Sequence, residues 1–494
     1  MIIMAMNLDQ MHPDYLETQA SRVKSRDLYD GTAAVQEKGE TYLFREANES
    51  DEDYELRLKR AVVDNYVELI VMARQSILFR KEPSRKIPEK LRPFEDNVDR
   101  RGTPSQVFFA EVAKQAQIDG IAWVAVDMPQ APMSPTGEVA FRSRKDEVSA
   151  DHRPFMEMIP GANVLDWSVD QQGRLEWLVV KQTAIAARAP GDVAETVNQW
   201  KIWTPTTWTL YQESSAEQKK AADDTGYSLV AQGTHQLGRI PVIPFLGIRN
   251  TDYSGWPVAE SILDHIVLIY NKASDLDWFE RLVSHPIPYL IGPNKLERMN
   301  SGAGIWINPG TESSKVELGF LEVTGASFDG LRTSISNLEA KILLISLAQS
   351  QRAGAQVQSQ DSQREYRKIF ASSLNTASIG YEGGEKQCWD LMARWLGDTS
   401  DAAEIQYSRD FDDQNIETAM VSALSDLVMN DILSMETFLE VLKRGECLPT
   451  DLDVEEELAR IRERDSRRTQ ETVLAINRAT DGQQEAETPG GQTG

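Results

Sequence analysis

The most regular hydrophobic pattern of the chain lies between Trp256 and Gln349, where two helical stretches flank a short β-type insert. In both stretches apolar residues recur at steps of three and four, the period of an amphipathic helix. The first stretch has Ala259, Ile262, Ile266, Ile269, Ala273 and Leu276, and the second has Leu331, Ile335, Leu338, Ile342 and Ile345. The pattern therefore predicts two long helices, over 256–282 and 328–348, that pack along these apolar faces.

The insert, residues 283–327, carries proline, glycine and β-branched residues in short runs. Examples are Pro286-Ile-Pro288 and Gly304-Ile-Trp-Ile307. Such runs are typical of strands joined by turns. Two helices that leave the body of a protein, support a small β module and return would form a stalk with a tip.

Residues before the helix pair predict an α+β body with an antiparallel sheet. One helix is expected from Ser50 to about Arg80 and another from Thr103 to Asp119. The first has an apolar stripe of Tyr54, Leu58, Val62, Tyr66, Leu69 and Ala73. The predicted strands are 121–126, 155–159, 175–182, 199–204, 207–211, 227–232 and 242–246.

Residues after the helix pair begin with a polar segment, 349–360, in which Arg352 is the only charged residue before Gln360. Further predicted elements are helices at 361–379, 384–396, 415–428, 434–444 and 454–477, with a strand at 405–411. The last residues, 481–494, are rich in Gly, Gln, Glu and Thr, which predicts a disordered tail.

The 494-residue chain has a formal net charge of −25 at pH 7. Its length exceeds the usual single core, so two to four structural units are expected. A protein that grips nucleic acid by neutralising phosphates should be basic. The acidity therefore indicates either a solubilising surface or a surface past which a polyanion moves without sticking. No apolar run approaches the roughly eighteen residues of a membrane span, so no membrane segment is expected.

Motifs of known chemistry are absent from the sequence, including the phosphate-binding loop, the dinucleotide glycine fingerprint and the His-Glu-x-x-His zinc motif. We therefore predict no catalytic residue, no metal and no cofactor. Two alternatives stay open. One is an enzyme of unfamiliar fold whose acid pair lies among Asp410, Asp412 and Asp413, and the other is a monomeric acidic adaptor or scaffold protein.

The order of these segments and several short stretches resemble the portal proteins of tailed bacteriophages, and in particular a branch long classed as a domain of unknown function. The stretches are Gly39–Leu43, Asn48–Ala61, Ile77–Pro83, Trp278–Glu280, Pro286–Gly292 and Gly302–Trp306. The resemblance implies a ring, usually of twelve subunits, at one capsid vertex. Through this ring the terminase packages DNA, which later leaves the virion by the same route.

By position, the resemblance also implies a division of the chain. It would comprise an α+β wing (1–255 and 361–411), a two-helix stem (256–282 and 328–348), a small α/β clip (283–327), a tunnel loop (349–360), an α-helical crown (412–480) and a tail (481–494). Pro286, Pro288, Tyr289 and Trp306 would lie in the clip. Gln349, Gln351, Arg352, Gln356 and Gln358 would lie in the tunnel loop.

The partners that the resemblance implies are those of a virion protein assembled in the host cytoplasm. They are further copies of the chain, double-stranded DNA passing without sequence specificity, the terminase large subunit, head-completion or adaptor and tail proteins, and the major capsid and scaffolding proteins. No membrane is implied.

Two features of the predicted helix pair fit such a ring. Each apolar stripe is longer than one partner helix covers, so neighbouring copies are expected to cover the rest, and a head-to-tail contact that closes forms a ring. Glu260, Asp264, Asn271 and Asp275 are spaced so that they share one helix face. We expect this face to line the channel and repel DNA phosphates, the alternative being an ordinary solvated face.

Overall fold

The structure is a computed structural model of the chain. It describes residues 7–129, 151–185, 189–191, 193–214, 226–284, 287–291, 305–307, 317–321, 326–347, 360–398, 403–409, 411, 418–430, 433–444, 453–464 and 467. The chain divides into two compact units, Met1–Phe411 and Asp412–Gly494. Helices and antiparallel sheets occupy largely separate stretches of the first unit, which confirms the predicted α+β class.

The helices of the first unit are α1 (Pro13–Asp30), α2 (Thr32–Glu37), α3 (Asp51–Arg60), α4 (Tyr66–Leu78), α5 (Ser105–Asp119), α6 (Leu263–Ser284), α7 (Ala326–Leu347) and α8 (Gln360–Trp395). Its strands are β1 (Ser84–Lys86), β2 (Ile121–Asp127), β3 (Phe155–Pro160), β4 (Val164–Val169), β5 (Leu175–Ile185), β6 (Thr196–Trp203), β7 (Thr207–Glu213), β8 (Tyr227–Thr234), β9 (Val242–Leu246), β10 (Ile248–Arg249), β11 (Gly255–Trp256), β12 (Ile287–Ile291), β13 (Ile305–Ile307), β14 (Glu317–Leu321) and β15 (Glu404–Gln406).

Two separate helices, α3 and α4, replace the single helix predicted from Ser50 to Arg80, so that prediction was wrong. Ala61 is extended, with ψ 129°. The Asn65 side chain then accepts the Glu68 N–H at 2.9 Å and starts α4 as a new helix. The helix cap at Asn65 was missed because it lies within a continuous apolar pattern. Val62, which lay on the predicted stripe, is exposed.

A three-stranded antiparallel sheet, in the order β3-β2-β9, lies at the centre of the first unit. Alternate residues of β2 enter different cores. Ala122, Val124 and Val126 join the cluster that contains α5 and α8 residues, and Trp123 joins the cluster of the larger sheet. Both faces are thus buried, as the continuous apolar run of this strand predicts.

The larger sheet is a five-stranded antiparallel meander in the order β4-β5-β6-β7-β8. Strands β5 to β8 fall where the sequence pattern predicts them, whereas β4 was not among the predicted strands. At Gly233, which pairs with Trp208 across β7 and β8, a Cβ would meet the indole ring at 2.7 Å. The glycine therefore leaves room for the tryptophan to lie across the neighbouring strand.

Helix α8 is continuous from Gln360 to Trp395, whereas the sequence predicts two helices with a break before Gly384. The physical reason is close packing. A Cβ on Gly384 would meet the Phe245 ring at 2.8 Å, so this glycine allows the helix to lie directly on β9. Gly380, Gly383 and Gly384 therefore do not end the helix, and the predicted break was wrong.

The second unit contains the helices α9 (Thr418–Met429) and α10 (Met435–Arg444) and a further helix, α11, at 454–464. The Ser434 hydroxyl accepts the Thr437 N–H at 3.2 Å and caps α10. The helices predicted near 415–428 and 434–444 are thus confirmed. Across the part of the chain that the structure describes, no helix has the length and apolar character needed to span a bilayer.

Candidate functional site

The two long helices predicted around the β insert are present as α6 and α7, and they pack side by side. Phe279 and Phe328 meet edge to face with ring centroids 6.0 Å apart. One turn further on, Arg332 Nη2 donates to Glu280 Oε1 at 2.6 Å. Helix α6 begins later than predicted because Gly255–Trp256 forms strand β11 and Glu260–Ile262 forms a 3-10 turn. Because the end of α6 meets the start of α7 at Phe279 and Phe328, and Ile262 and Ile342 share one core, the helix pair is antiparallel.

Predicted packing residues of the helix pair enter one core with the N-terminal helices. Ile262, Ile266, Ile269 and Ile342 are buried there, and Ile335, Leu338 and Ile345 are partly buried against it. Leu331 lies outside this cluster and is partly exposed. The N-terminal side of the core contributes Leu28, Val35, Tyr42, Leu43, Tyr54, Val67, Ile70 and Val71.

This core corrects, for Ala259 to Ile269, the expectation that neighbouring copies cover the stripe of the first helix. The chain's own N-terminal residues cover that part instead. Full burial of one such isoleucine contributes about 1.5–3 kcal/mol, and the single chain already gains this stabilisation. The later stripe residues Ala273 and Leu276 are only partly buried.

The β insert forms a three-stranded sheet in the order β13-β12-β14, with β12 and β14 antiparallel and β12 and β13 parallel. Pro288 pairs with Phe320 and Trp306 with Leu290, whereas Pro286 lies outside the described residues. Tyr289 lies opposite Gly319, and a Cβ on that glycine would meet the Tyr289 ring at 2.6 Å. The predicted strands of the insert are thus confirmed.

The four residues predicted to line a channel have different surroundings in the single chain. Asp264 is exposed, with 87% of its side chain accessible, and accepts from Lys24 Nζ at 2.7 Å. Glu260 lies in the 3-10 turn with Oε2 buried. Asn271 bonds to backbone groups of Tyr42 and Phe44. Their channel-facing role stays a prediction, and only Asp264 has a fully exposed side chain.

Asp275 is half-buried, and burial raises the pKa of its carboxyl group above the ordinary value. Arg57 and Lys272 act in the opposite direction and lower that pKa, whereas Glu46 and Glu49 raise it. These neighbours belong to α3, to the segment before it and to α6 itself. Asp275 therefore sits in a mixed-charge contact of its own chain.

Several predicted residues lie outside the described part of the chain. They are Gln349, Gln351, Arg352, Gln356 and Gln358 of the predicted tunnel loop, and Asp410, Asp412 and Asp413 of the acidic cluster. Nothing structural is assigned to them.

A groove of 440 Å³ lies between α1, α5 and the turn after β3. Its charged side chains are Arg22, Arg26, Asp27 and Asp119, and they are bonded to one another or to nearby groups. Arg26 Nη2 donates to Asp119 Oδ2 at 2.7 Å, and Arg22 Nη1 donates to the Gly161 carbonyl at 3.1 Å. The arrangement joins helices and offers no nucleophile with an adjacent base. Within the described ranges, no three His, Cys, Asp or Glu side chains could hold a metal ion.

Sequence reasoning missed a buried polar network around Glu385 on α8. Glu385 Oε1 accepts from Arg85 Nε at 2.6 Å, and its Oε2 accepts from the Tyr407 hydroxyl at 2.7 Å. The Trp389 indole N–H also donates to Oε1, at 3.2 Å. One acid on the otherwise apolar face of this helix was the available signal, because a buried carboxylate needs a partner.

Comparison with known proteins gives one family match within the chain. A family model described as a domain of unknown function, DUF4055, matches residues 264–396, which comprise α6, the β insert, α7 and α8. None of the curated proteins compared with the chain matches it.

Among solved structures, the chain is similar to one from the virion of a native gene transfer agent (GTA) particle. The identity is 10%, the coverage is 85% of this chain and 93% of that chain, and the TM-score is 0.37. This likeness is too low to carry an argument about fold or function.

Proposed function

We propose that the chain is a portal subunit of a tailed bacteriophage. In this proposal about twelve copies close into a ring at one capsid vertex, and DNA passes through the ring during packaging and ejection. One observation carries the proposal: a long antiparallel helix pair, α6 and α7, joined by a three-stranded sheet, on an α+β body. The order of segments along the sequence supports the same proposal. No chemical catalysis is part of this function.

Exposed apolar residues on α4 support contact between copies. Leu69 and Met72 are 57% and 60% exposed on one side of this helix, and Val62 just before it is also exposed. Large apolar side chains grouped on a surface often mark a protein interface. Because α6 is covered by its own chain, we assign the assembly surface to the α4 side instead.

Partners at the tip of the helix pair would be proteins. The sheet exposes Ile307 and Leu318, and Trp278 is half-exposed on α6. These side chains fit the proposal that the terminase large subunit, and later head-completion, adaptor and tail proteins, bind at this end. The major capsid and scaffolding proteins would surround the ring in the virion.

The charge of the chain supports DNA passage without tight binding. A net charge of −25 would repel phosphates. The purified protein should therefore leave linear duplex DNA unretarded in a gel even at low salt, about 50 mM, where phosphate contacts are strongest. Salt-sensitive retardation would contradict this part of the proposal.

Native mass and particle shape test the ring itself. A portal gives a species of several hundred kilodaltons, against 55.5 kDa for one chain, and negative-stain images viewed end-on show a ring with a central hole. A monomer at micromolar concentration would contradict the proposal.

A second candidate is a monomeric acidic adaptor, and the covering of α6 by the chain's own helices favours it. The C-terminal helix α11 discriminates the two. Truncation before residue 454 should abolish partner binding by such an adaptor, whereas a portal should still assemble into rings.

A further inference from the structure

Asn271 of α6 makes a two-sided contact with a segment that has no regular secondary structure. Its Nδ2 donates to the Tyr42 carbonyl at 2.7 Å, and its Oδ1 accepts the Phe44 N–H at 2.9 Å. The same Nδ2 also donates to the Val267 carbonyl at 2.8 Å. The side-chain amide thus pairs with residues 42–44 as a neighbouring strand would, using one donor and one acceptor.

Side chains of α3 complete the hydrogen bonding of this segment. The Tyr54 hydroxyl donates to the Leu43 carbonyl at 3.1 Å, and Arg57 Nη2 donates to the Phe44 carbonyl at 2.6 Å. Arg57 is itself fixed by Glu49, with both contacts at 2.7 Å. Backbone groups in a folded protein need partners, and here the partners are side chains rather than a sheet.

Burial around the segment shows that it is anchored. Tyr42 and Leu43 are buried, and the Tyr42 hydroxyl donates to Asp27 Oδ2 at 2.7 Å on α1. Phe44 projects outward and is more than half exposed although both of its backbone groups are bonded. Residues 42–44 therefore connect α1, α3 and α6 at one place.

The contact lies where α6 changes surroundings. Tyr270, one residue before Asn271, is buried in the core of the N-terminal helices, whereas Asp277 and Trp278 are exposed. Asp275, one turn further on, still lies near Arg57, and from Asp277 onward α6 contacts α7 through pairs such as Phe279 with Phe328. Asn271 thus lies in the last turns of α6 that contact the α+β body of the chain.

We propose that Asn271 clamps residues 42–44 onto α6 and so fixes the direction in which the outer part of the helix pair leaves the body. Asn271 is a positioning residue in this proposal. The role differs from the channel-facing one predicted for it, because its amide oxygen and an N–H are engaged within its own chain. It does not depend on ring formation.

Hydrogen exchange on the full-length chain tests the clamp. In Asn271→Ala, the amide of Phe44 should exchange roughly tenfold faster, because its acceptor is lost. Exchange should also rise several-fold over 276–284 and 326–334, while α5 and β2 stay as in the wild type. Lys272→Ala is the matched control, since it alters the next residue of the same helix and leaves every bond of the clamp in place.

Asn271→Asp separates the two halves of the contact. A carboxylate oxygen still accepts the Phe44 N–H, but it has no proton for the Tyr42 and Val267 carbonyls. Protection of Phe44 should therefore fall between those of the wild type and Asn271→Ala. The proposal is overturned if Asn271→Ala and Lys272→Ala exchange alike at Phe44, or if exchange rises equally throughout the first unit. The readout is the same for a monomer or a ring, so failure of the portal proposal would be seen separately, in the native mass.

Discussion

Glu385 is a fully buried carboxylate whose hydrogen bonds join α8 to β1 and to the residue after β15. Arg85 comes from β1, Tyr407 follows β15 and Trp389 lies one turn along α8. Burial and the neighbouring carboxylate raise the pKa of Tyr407 well above its ordinary value. The phenol therefore stays protonated and remains a donor. The network holds the end of the first unit against α8.

Removing this carboxylate should be costly, because Arg85 would then be a buried charge without its counter-ion. We expect Glu385→Ala to lower the free energy of unfolding by about 3–5 kcal/mol. Glu404→Ala is the control, since it removes the exposed Lys86–Glu404 pair of the adjoining strands and should cost less than about 1 kcal/mol. Urea denaturation followed by tryptophan fluorescence measures both, and equal losses would refute a structural role for the network.

His235 is buried between the Trp203 and Trp395 rings, with each centroid 5.9 Å away. Its Nε2 lies 3.1 Å from the Thr204 carbonyl, which requires a proton on that nitrogen. Burial lowers the pKa of His235 below 6.5, and the charge of nearby Lys201 lowers it further. The hydrogen bond to Thr204 and the charge of Asp127 act in the opposite direction. The folded protein therefore favours the neutral imidazole.

A pH dependence of stability follows from this shift. Below pH 6.5 the unfolded chain takes up a proton that the folded chain resists, so the stabilisation is complete above that pH and is lost as pH falls toward the folded-state pKa. Relative to His235→Gln, the wild type should lose up to about 1.4 kcal/mol per pH unit within this window. Denaturation curves at pH 8, 6.5 and 5.5 measure the difference, and parallel pH profiles would contradict the assignment.

Among the secondary-structure elements, periodicity located most of the long helices but not their ends, and it did not predict α1. The bounds of α7 were predicted well because its stripe is uninterrupted from Leu331 to Ile345. The break between α3 and α4 was missed because Asn65 caps inside an apolar period. The partners of Asn271 could not be predicted from periodicity for another reason. They lie more than 200 residues away in the sequence, and only tertiary structure brings them together.

The adjacent glycines Gly383 and Gly384 of α8 allow a test of helix packing in which one substitution is the control for the other. Gly384→Ala puts a methyl group into the buried Phe245 ring and should destabilise the protein by about 1–3 kcal/mol. Gly383→Ala meets nothing within 4 Å and should be neutral or add up to about 1 kcal/mol through helix propensity. Thermal unfolding of the two variants tests this. Equal effects would mean that α8 does not pack on Phe245 as described.

In the molecule as a whole, the surface left for contact between copies in the proposed ring differs from the one that the sequence predicts. Sequence periodicity marks residues that are buried somewhere, but it does not say whether their cover comes from the same chain or from a neighbour. The first half of the α6 stripe is covered within the chain, whereas Leu69, which was predicted on a stripe, and Met72 of α4 are exposed. Contact between copies in the proposed ring is therefore assigned to α4 rather than to the buried part of α6.

Charged substitutions on α4 test whether this helix lies between copies. If α4 lies between copies, Leu69→Glu with Met72→Glu should convert the assembly of several hundred kilodaltons into 55.5 kDa chains, because charges would be buried without partners. Light scattering coupled to size exclusion gives the mass, and unchanged thermal unfolding of the isolated chain shows that the fold survives. Val193→Glu, at a site 85% exposed in the connection before β6, is the control and should leave the assembly intact. A ring that tolerates the double change would assign its contacts to another face.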